Sequence, residues 1–271
     1  MILKFNQFIT ERLSYSEDVE IISKIIIEYL YGKENWKSEE VIKIDNPVIN
    51  EVRIQFIDNL SKLGKKSSFN PNKSDYNNRM IFLEFDPDEI TEGLLNHEVF
   101  HGWEWIRNEG KHLTNSFQFA IIQLNNYFEK DENISEIIQL FYLMSDAEIR
   151  SHFNSDIFEF KRWKEDKNAT SKEEIYSLIE ETDTFQNYQF VKKFNLNEYL
   201  NKLSTEKLDE FISAVEQMEY MKDGEESEIM LKRFSDLERS KFIQKLNTIH
   251  KQQSEKITKY LGKLIIHFRN S

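Results

Sequence analysis

Glycine and proline are scarce in this chain, and their scarcity limits the possible folds more than any other sequence feature. Only 7 of the 271 residues are glycine and 3 are proline, so few positions favour the tight turns that join short strands. Near the C-terminus, apolar side chains recur at helical spacing and share one face of a predicted helix: Phe242, Leu246, Ile249, Ile257, Leu261, Leu264 and Ile265. These observations predict a mostly helical protein.

Three short runs in the first third of the chain predict strands. Residues 41–44, 52–57 and 80–85 are rich in β-branched and aromatic side chains, and turn-forming residues separate them. Three strands form only a small sheet, so we predict an α+β fold that is mostly helical. We expect the sheet to lie in a domain of residues 1–160, followed by a helical C-terminal region of residues 161–271.

The composition restricts the metal chemistry and the cellular location that we expect. The chain has no cysteine, so any metal must be held by His, Asp or Glu, which are ligands that suit Zn²⁺. No apolar run approaches the ~18 residues that a membrane span needs. The N-terminus also lacks the charged and apolar pattern of a secretory signal. We therefore expect a cytoplasmic protein with no membrane partner.

The charge is strongly acidic overall but uneven along the chain. A formal net charge of −12 argues against nucleic acid as a general partner. Residues 240–271, however, contain seven Lys or Arg residues and only one Glu. We expect this basic segment to dock on the acidic remainder of the protein, although it leaves nucleic-acid binding open.

A His-Glu-x-x-His pattern, formed by His97, Glu98 and His101, lies in a run with helical spacing. Asp86-Pro87 predicts the start of that helix, and Asn108-Glu109-Gly110 predicts its end. Two histidines four residues apart are one helical turn apart, so both imidazoles can reach one metal ion. Glu98 would stand beside them as a base. The pattern predicts a metal site that needs a third protein ligand and one open coordination position.

Glu148 is the best candidate for the third ligand. Ile134, Ile137, Phe141 and Met144 form the apolar stripe of a predicted helix, and Glu148 is the next residue on that stripe. A carboxylate that points into a core is unfavourable unless it is paired or bound to a metal. His152 and His112 remain alternatives to Glu148.

The His97-Glu98-x-x-His101 pattern resembles the zinc-binding helix of the zincin metallopeptidases. In their gluzincin branch the third ligand is a Glu on a later helix, which Glu148 resembles. The resemblance implies a zincin-like domain that hydrolyses peptide bonds in a peptide or protein substrate. His97, His101 and Glu148 would hold Zn²⁺, and Glu98 would activate the attacking water. The metzincin branch is excluded, because Glu104 and Arg107 occupy its Gly and His positions.

Residues 1–12 resemble the capsid-targeting peptides of T-even-type phages, and Ile9-Thr10-Glu11 matches their cleavage signal. This resemblance implies a phage-related protein that is packaged in a particle. One alternative function is therefore a structural or interaction protein with a structural or vestigial metal site. Another is a zinc amidase that acts on a non-peptide amide.

Overall fold

The computed structural model describes residues 2–33, 35–58, 60, 66–111, 116–165, 171–220 and 229–270. Its helices and strands follow one another along the chain as α1 (Ile2–Tyr31), β1 (Glu39–Lys43), β2 (Glu51–Phe56), β3 (Ser67–Phe69), β4 (Met80–Phe85), α2 (Glu92–Arg107), α3 (Ser116–Gln123), α4 (Glu132–Leu143), α5 (Asp146–Glu165), α6 (Lys172–Glu181), α7 (Asp183–Lys193), α8 (Leu196–Lys202), α9 (Thr205–Tyr220) and α10 (Asp236–Asn270). The predicted α+β, mostly helical fold is confirmed. Within the described part of the chain, no helix is both long enough and apolar enough to cross a bilayer.

The chain divides into two compact units, and each unit is built from two stretches of sequence. The first unit comprises Met1–His112 and Ser151–Lys172, and the second comprises Leu113–Arg150 and Glu173–Ser271. The division passes through α5, which continues as one helix on both sides of it. The boundary near residue 160 stays a prediction.

The four strands form one mixed sheet in the order β1-β2-β4-β3. β2 and β4 run parallel in the centre, and the two edge strands are antiparallel to their neighbours. The three predicted strands are confirmed to within two residues at each end. The sequence does not predict β3, because its three residues, Ser67–Phe69, include two serines with little preference for strands.

The core of the first unit fills the space between the sheet and the helices α1 and α2. Ile22, Val52, Ile81 and Val99 contribute to it, and all four are fully buried. Gly102 brings α2 close to the sheet, because a Cβ atom at this position would lie 2.8 Å from Cγ2 of Ile81. The helix that carries the His-Glu-x-x-His pattern is therefore held firmly against β4.

The predicted start of α2 is wrong, whereas its predicted end is correct. Asp86 and the residues after it form a turn, in which the amide of Glu89 donates to the carbonyl of Asp86 over 3.1 Å. The helix begins five residues later, where the Thr91 hydroxyl accepts a hydrogen bond from the amide of Leu94. Asn108 caps the C-terminus, as expected.

The second unit has an aromatic core in which α3, α9 and α10 meet. The ring centroids of Phe117 and Phe242 lie 5.6 Å apart, and those of Phe211 and Phe242 lie 5.7 Å apart. The predicted C-terminal helix is confirmed as α10. Two of its basic side chains form ion pairs within the same unit: Lys256 with Asp146 at 2.5 Å, and Lys245 with Glu219 at 3.4 Å.

Candidate metal centre

α2 presents the two histidines of the predicted motif side by side. The Nε2 atoms of His97 and His101 lie 3.0 Å apart, and their rings are nearly perpendicular at 76°. Two nitrogens bound tetrahedrally to one zinc ion at about 2.0–2.1 Å would lie about 3.3 Å apart. His97 is buried, whereas His101 is half-buried. The pair is therefore close enough for two ligands of one ion, and the same distance also fits a hydrogen bond between the two rings.

Glu148 is buried as predicted, but it belongs to a different helix from the one that the sequence suggested. α4 ends at Leu143, and Glu148 lies in the first turn of α5. The hydroxyl of Ser145 accepts a hydrogen bond from the Glu148 amide over 3.3 Å at this helix start. Since only 6% of Glu148 is exposed, the expectation of a buried carboxylate is confirmed.

The structure brings His97, Glu148 and His152 together as a possible metal-binding group. Each offers one donor atom, and the three donor atoms lie within 4.8 Å of one another. The ring centroids of His97 and His152 are 4.5 Å apart. Glu148 and His152 stand four residues apart on α5, so one helical turn directs both toward His97.

The predicted ligand set is thus only partly assembled in one group. His97 and Glu148 belong to it, and His152, which the sequence had left as an alternative, completes it. His101 is outside that group but close to the Nε2 atom of His97. His112 lies outside the described residues. The assignment of His97, His101 and Glu148 stays a prediction.

Glu98 points toward the sheet and is held there by the edge strand β3. The Ser67 hydroxyl donates to Oε1 of Glu98 over 2.6 Å, and the Phe69 amide donates to Oε2 over 2.7 Å. Glu98 is only 6% exposed, so these hydrogen bonds offset the cost of burying a carboxylate. No pattern in the sequence points to Ser67, because its role depends on a strand that the sequence does not indicate.

A chain of buried polar side chains links α2 to the helices α1 and α5 beside the site. The Asn96 side chain donates to the Ser23 hydroxyl over 3.0 Å and accepts from the side chain of Asn154 over 2.6 Å. The Ser155 hydroxyl donates to the carbonyl of Gly93 over 2.9 Å. These contacts fix the register of α5 against α2 within the first unit.

The donor atoms at this site fit a divalent transition metal. Imidazole nitrogens and a carboxylate oxygen are ligands that Zn²⁺ accepts, and the same set also suits iron or manganese. Burial of His97 and Glu148 keeps water away from the donors and strengthens their attraction to a cation.

Comparison of the chain with known protein families, with curated proteins and with solved structures gives no match in any of the three.

Proposed function

We propose that the protein is a zinc-dependent metallopeptidase with a zincin-like domain in residues 1–160. The observation that carries the proposal is the convergence of His97, Glu148 and His152 within 4.8 Å, with Nε2 of His101 3.0 Å from that of His97. Three donors therefore converge, a fourth imidazole lies next to one of them, and the buried Glu98 follows His97 directly on the same helix. This arrangement goes beyond a chance match to a five-residue pattern.

In this proposal His97 and Glu148 hold the metal, and His101 is the third ligand. A Zn²⁺ ion held here with an open coordination position would lower the pKa of a coordinated water to about 7. Glu98 accepts the proton from the attacking water on a carboxylate oxygen and passes it to the leaving amine. His152 then serves as a hydrogen-bond donor to the carbonyl oxygen of the substrate.

The position of His152 also favours a second candidate function. If all four side chains bind the metal, the coordination shell is closed, as it is in structural zinc sites. The protein would then be a phage-related structural or interaction protein whose metal stabilises the fold. The resemblance of residues 1–12 to a capsid-targeting peptide agrees with this alternative.

Metal analysis of the purified protein separates the two candidates. We expect about one Zn²⁺ per chain in the wild type, and loss of the metal in His97→Ala, His101→Ala and Glu148→Gln. His152→Ala keeps the metal if the site is catalytic. Loss of the metal in that variant would instead indicate a closed site with four ligands. His250→Ala is the control, because His250 lies on α10 and does not belong to the group of candidate ligands.

Turnover tests the role of Glu98. Glu98→Gln should keep zinc but lower hydrolysis of a peptide library by about 10²–10⁴-fold, since a neutral amide cannot accept the proton. Glu109→Gln removes an exposed carboxylate just beyond the same helix and should leave the rate unchanged. Full activity in Glu98→Gln would refute the mechanism. Non-peptide amides in the same library test for the amidase.

A further inference from the structure

We propose that β3 is a positioning element for the catalytic base, and that the Ser67 hydroxyl is its decisive contact. The inference rests on the proposed function, because it assigns a task to a residue that acts through Glu98. Ser67 and Phe69 each hold a different oxygen of the Glu98 carboxylate, at 2.6 Å and 2.7 Å. A carboxylate held at both oxygens cannot rotate about its terminal bond without losing a hydrogen bond.

The backbone of β3 is oriented for this task. The amide of Asn70 donates to the carbonyl of Phe82, and the amide of Asp86 donates to the carbonyl of Lys66. In an antiparallel ladder the residues between such bonded positions point their amides away from the partner strand. The Phe69 amide therefore points to the free edge of the sheet, where it meets Glu98.

β3 is in turn anchored on its other side, so its donors have a fixed place. The carboxylate of Glu84 on β4 accepts hydrogen bonds from Ser68 at 3.1 Å, from Asn70 at 3.0 Å and from Lys73 at 2.9 Å. Burial alone would raise the pKa of Glu84. The hydrogen bonds lower it by a larger amount, so the pKa of Glu84 lies below its usual value. The strand is thus held between the half-buried Glu84 and the buried Glu98.

A different result is expected if the contacts of Ser67 and Phe69 with Glu98 are purely structural. If Glu98 served only to fasten β3 to α2, removal of the Ser67 hydroxyl would lower the stability of the fold. It would leave the chemistry at the metal unchanged. If Ser67 positions the base, its removal also weakens the binding of a metal-bound ligand that touches the Glu98 carboxylate, while metal content stays close to the wild type.

Acetohydroxamate is a suitable probe that needs no turnover. A hydroxamate binds a metal through its two oxygens and shares its proton with a neighbouring carboxylate, so its affinity depends on where that carboxylate lies. Azide binds a metal without such a proton and serves as the control ligand. Both can be titrated against the Co²⁺-substituted protein by visible absorption, in the wild type, Ser67→Ala and Ser67→Thr.

We expect Ser67→Ala to weaken acetohydroxamate binding by about tenfold and to lower kcat by a similar factor, with KM nearly unchanged. Azide affinity and zinc content should stay at the wild-type values, and Tm should fall only by the small amount that one lost hydrogen bond to a buried carboxylate causes. Ser67→Thr should restore both losses, because it keeps the hydroxyl on a residue that suits a strand.

Acetohydroxamate affinity within twofold of the wild type in Ser67→Ala would overturn the proposal, as would failure of Ser67→Thr to restore it. If the wild type hydrolyses no substrate but the hydroxamate effect appears, the positioning role stands and the peptidase proposal fails. If the wild type binds no metal, both proposals fail.

Discussion

At the scale of single residues, Gly102 shows how one missing methyl group decides the distance between α2 and the sheet. The glycine faces Ile81, and the place that a Cβ atom would take lies 2.8 Å from Cγ2 and 3.0 Å from Cδ1 of that side chain. Gly262 on α10 offers a contrast, because nothing lies within 4 Å of the corresponding position there. The two glycines therefore have opposite expected responses to the same substitution.

Gly102→Ala should lower the free energy of unfolding by about 1–3 kcal/mol, because the added methyl group overpacks the core. Gly262→Ala should raise it by about 0.5–1 kcal/mol, because alanine loses less backbone entropy in a helix. Urea unfolding followed by circular dichroism measures both. Equal effects of the two substitutions would contradict the close packing of α2 on β4.

Glu40 on β1 is a buried carboxylate whose charge is stabilised locally. Hydrogen bonds from Lys33 at 2.6 Å and from the Lys37 amide at 2.9 Å, together with one from Tyr29, lower its pKa from 4.5 to about 2 against the effect of burial. A carboxyl with a lowered folded-state pKa adds stability that is fully present above its unfolded value near 4.5. This contribution disappears as the pH falls through about 2.

Glu40→Gln should therefore destabilise the protein most above pH 4.5, and the difference from the wild type should shrink between pH 4.5 and pH 2. Urea midpoints measured at pH 7, 4 and 3 test this. Glu39→Gln, at the exposed neighbouring position on β1, is the control. A difference that stays constant over this range would contradict the assignment.

At the scale of elements, the site depends on the register between α2 and α5. Glu148 and His152 on α5 face His97 only if the two helices are aligned along their axes to within a fraction of a turn. Asn96 directly precedes His97 and Asn154 lies two residues after His152, and the hydrogen bond between these two buried side chains favours this alignment. Buried side-chain amides need partners, so the pair favours one register over others.

Asn154→Ala and Asn96→Ala should each lower the free energy of unfolding by about 1–3 kcal/mol, since each leaves a buried polar group unsatisfied. The double variant should lose less than the sum, with a coupling energy of about 0.5–3 kcal/mol. Zinc affinity, measured by competition with a chelator, should fall in the same variants. Additive losses with unchanged zinc affinity would show that the pair does not align the site.

At the scale of the whole molecule, the chain is acidic, and part of its basic C-terminal segment forms ion pairs with acidic residues of the same protein. The net charge is −12, yet α10 carries lysines that pair with Asp146 and Glu219 in its own unit. The first of these acidic residues lies two positions before Glu148. The ion pair of Lys256 and Asp146 therefore fastens the start of α5 within the second unit.

Metal binding should couple to the stability of the folded protein. A ligand that binds only the native state stabilises it by about 2.7 kcal/mol at a concentration of 100 Kd. We expect Zn²⁺ to raise the unfolding midpoint of the wild type and of His250→Ala, and a chelator to reverse the change. His97→Ala should show no response. A zinc response in His97→Ala equal to that of the wild type would place the metal elsewhere.

Local patterns in the sequence were sufficient for much of the fold. The apolar face of α10 is present, and a capping box fixes its start, with the Ser235 amide donating to Glu238 over 2.7 Å. The central strands β2 and β4 were also predicted. Such signals are reliable because helix faces and strand alternation depend on residues that are neighbours along the chain.

Elements that depend on distant contacts could not be predicted in the same way. β3 exists because β4 and Glu98 satisfy its backbone from both sides. The break between α4 and α5 moved Glu148 to a new helix, although its spacing continued the stripe of the earlier one. The spacing of apolar residues does not reveal a break of two residues between helices when the same spacing continues on both sides of the break.

The sequence by itself determined that two histidines and a glutamate share one helix and that Glu148 is buried. Both follow from spacing along the chain and from the distribution of apolar side chains. Only the tertiary structure decided that His152 stands beside His97 and that Ser67 holds Glu98. These contacts join residues more than 30 positions apart, and their formation depends on how whole helices and strands pack.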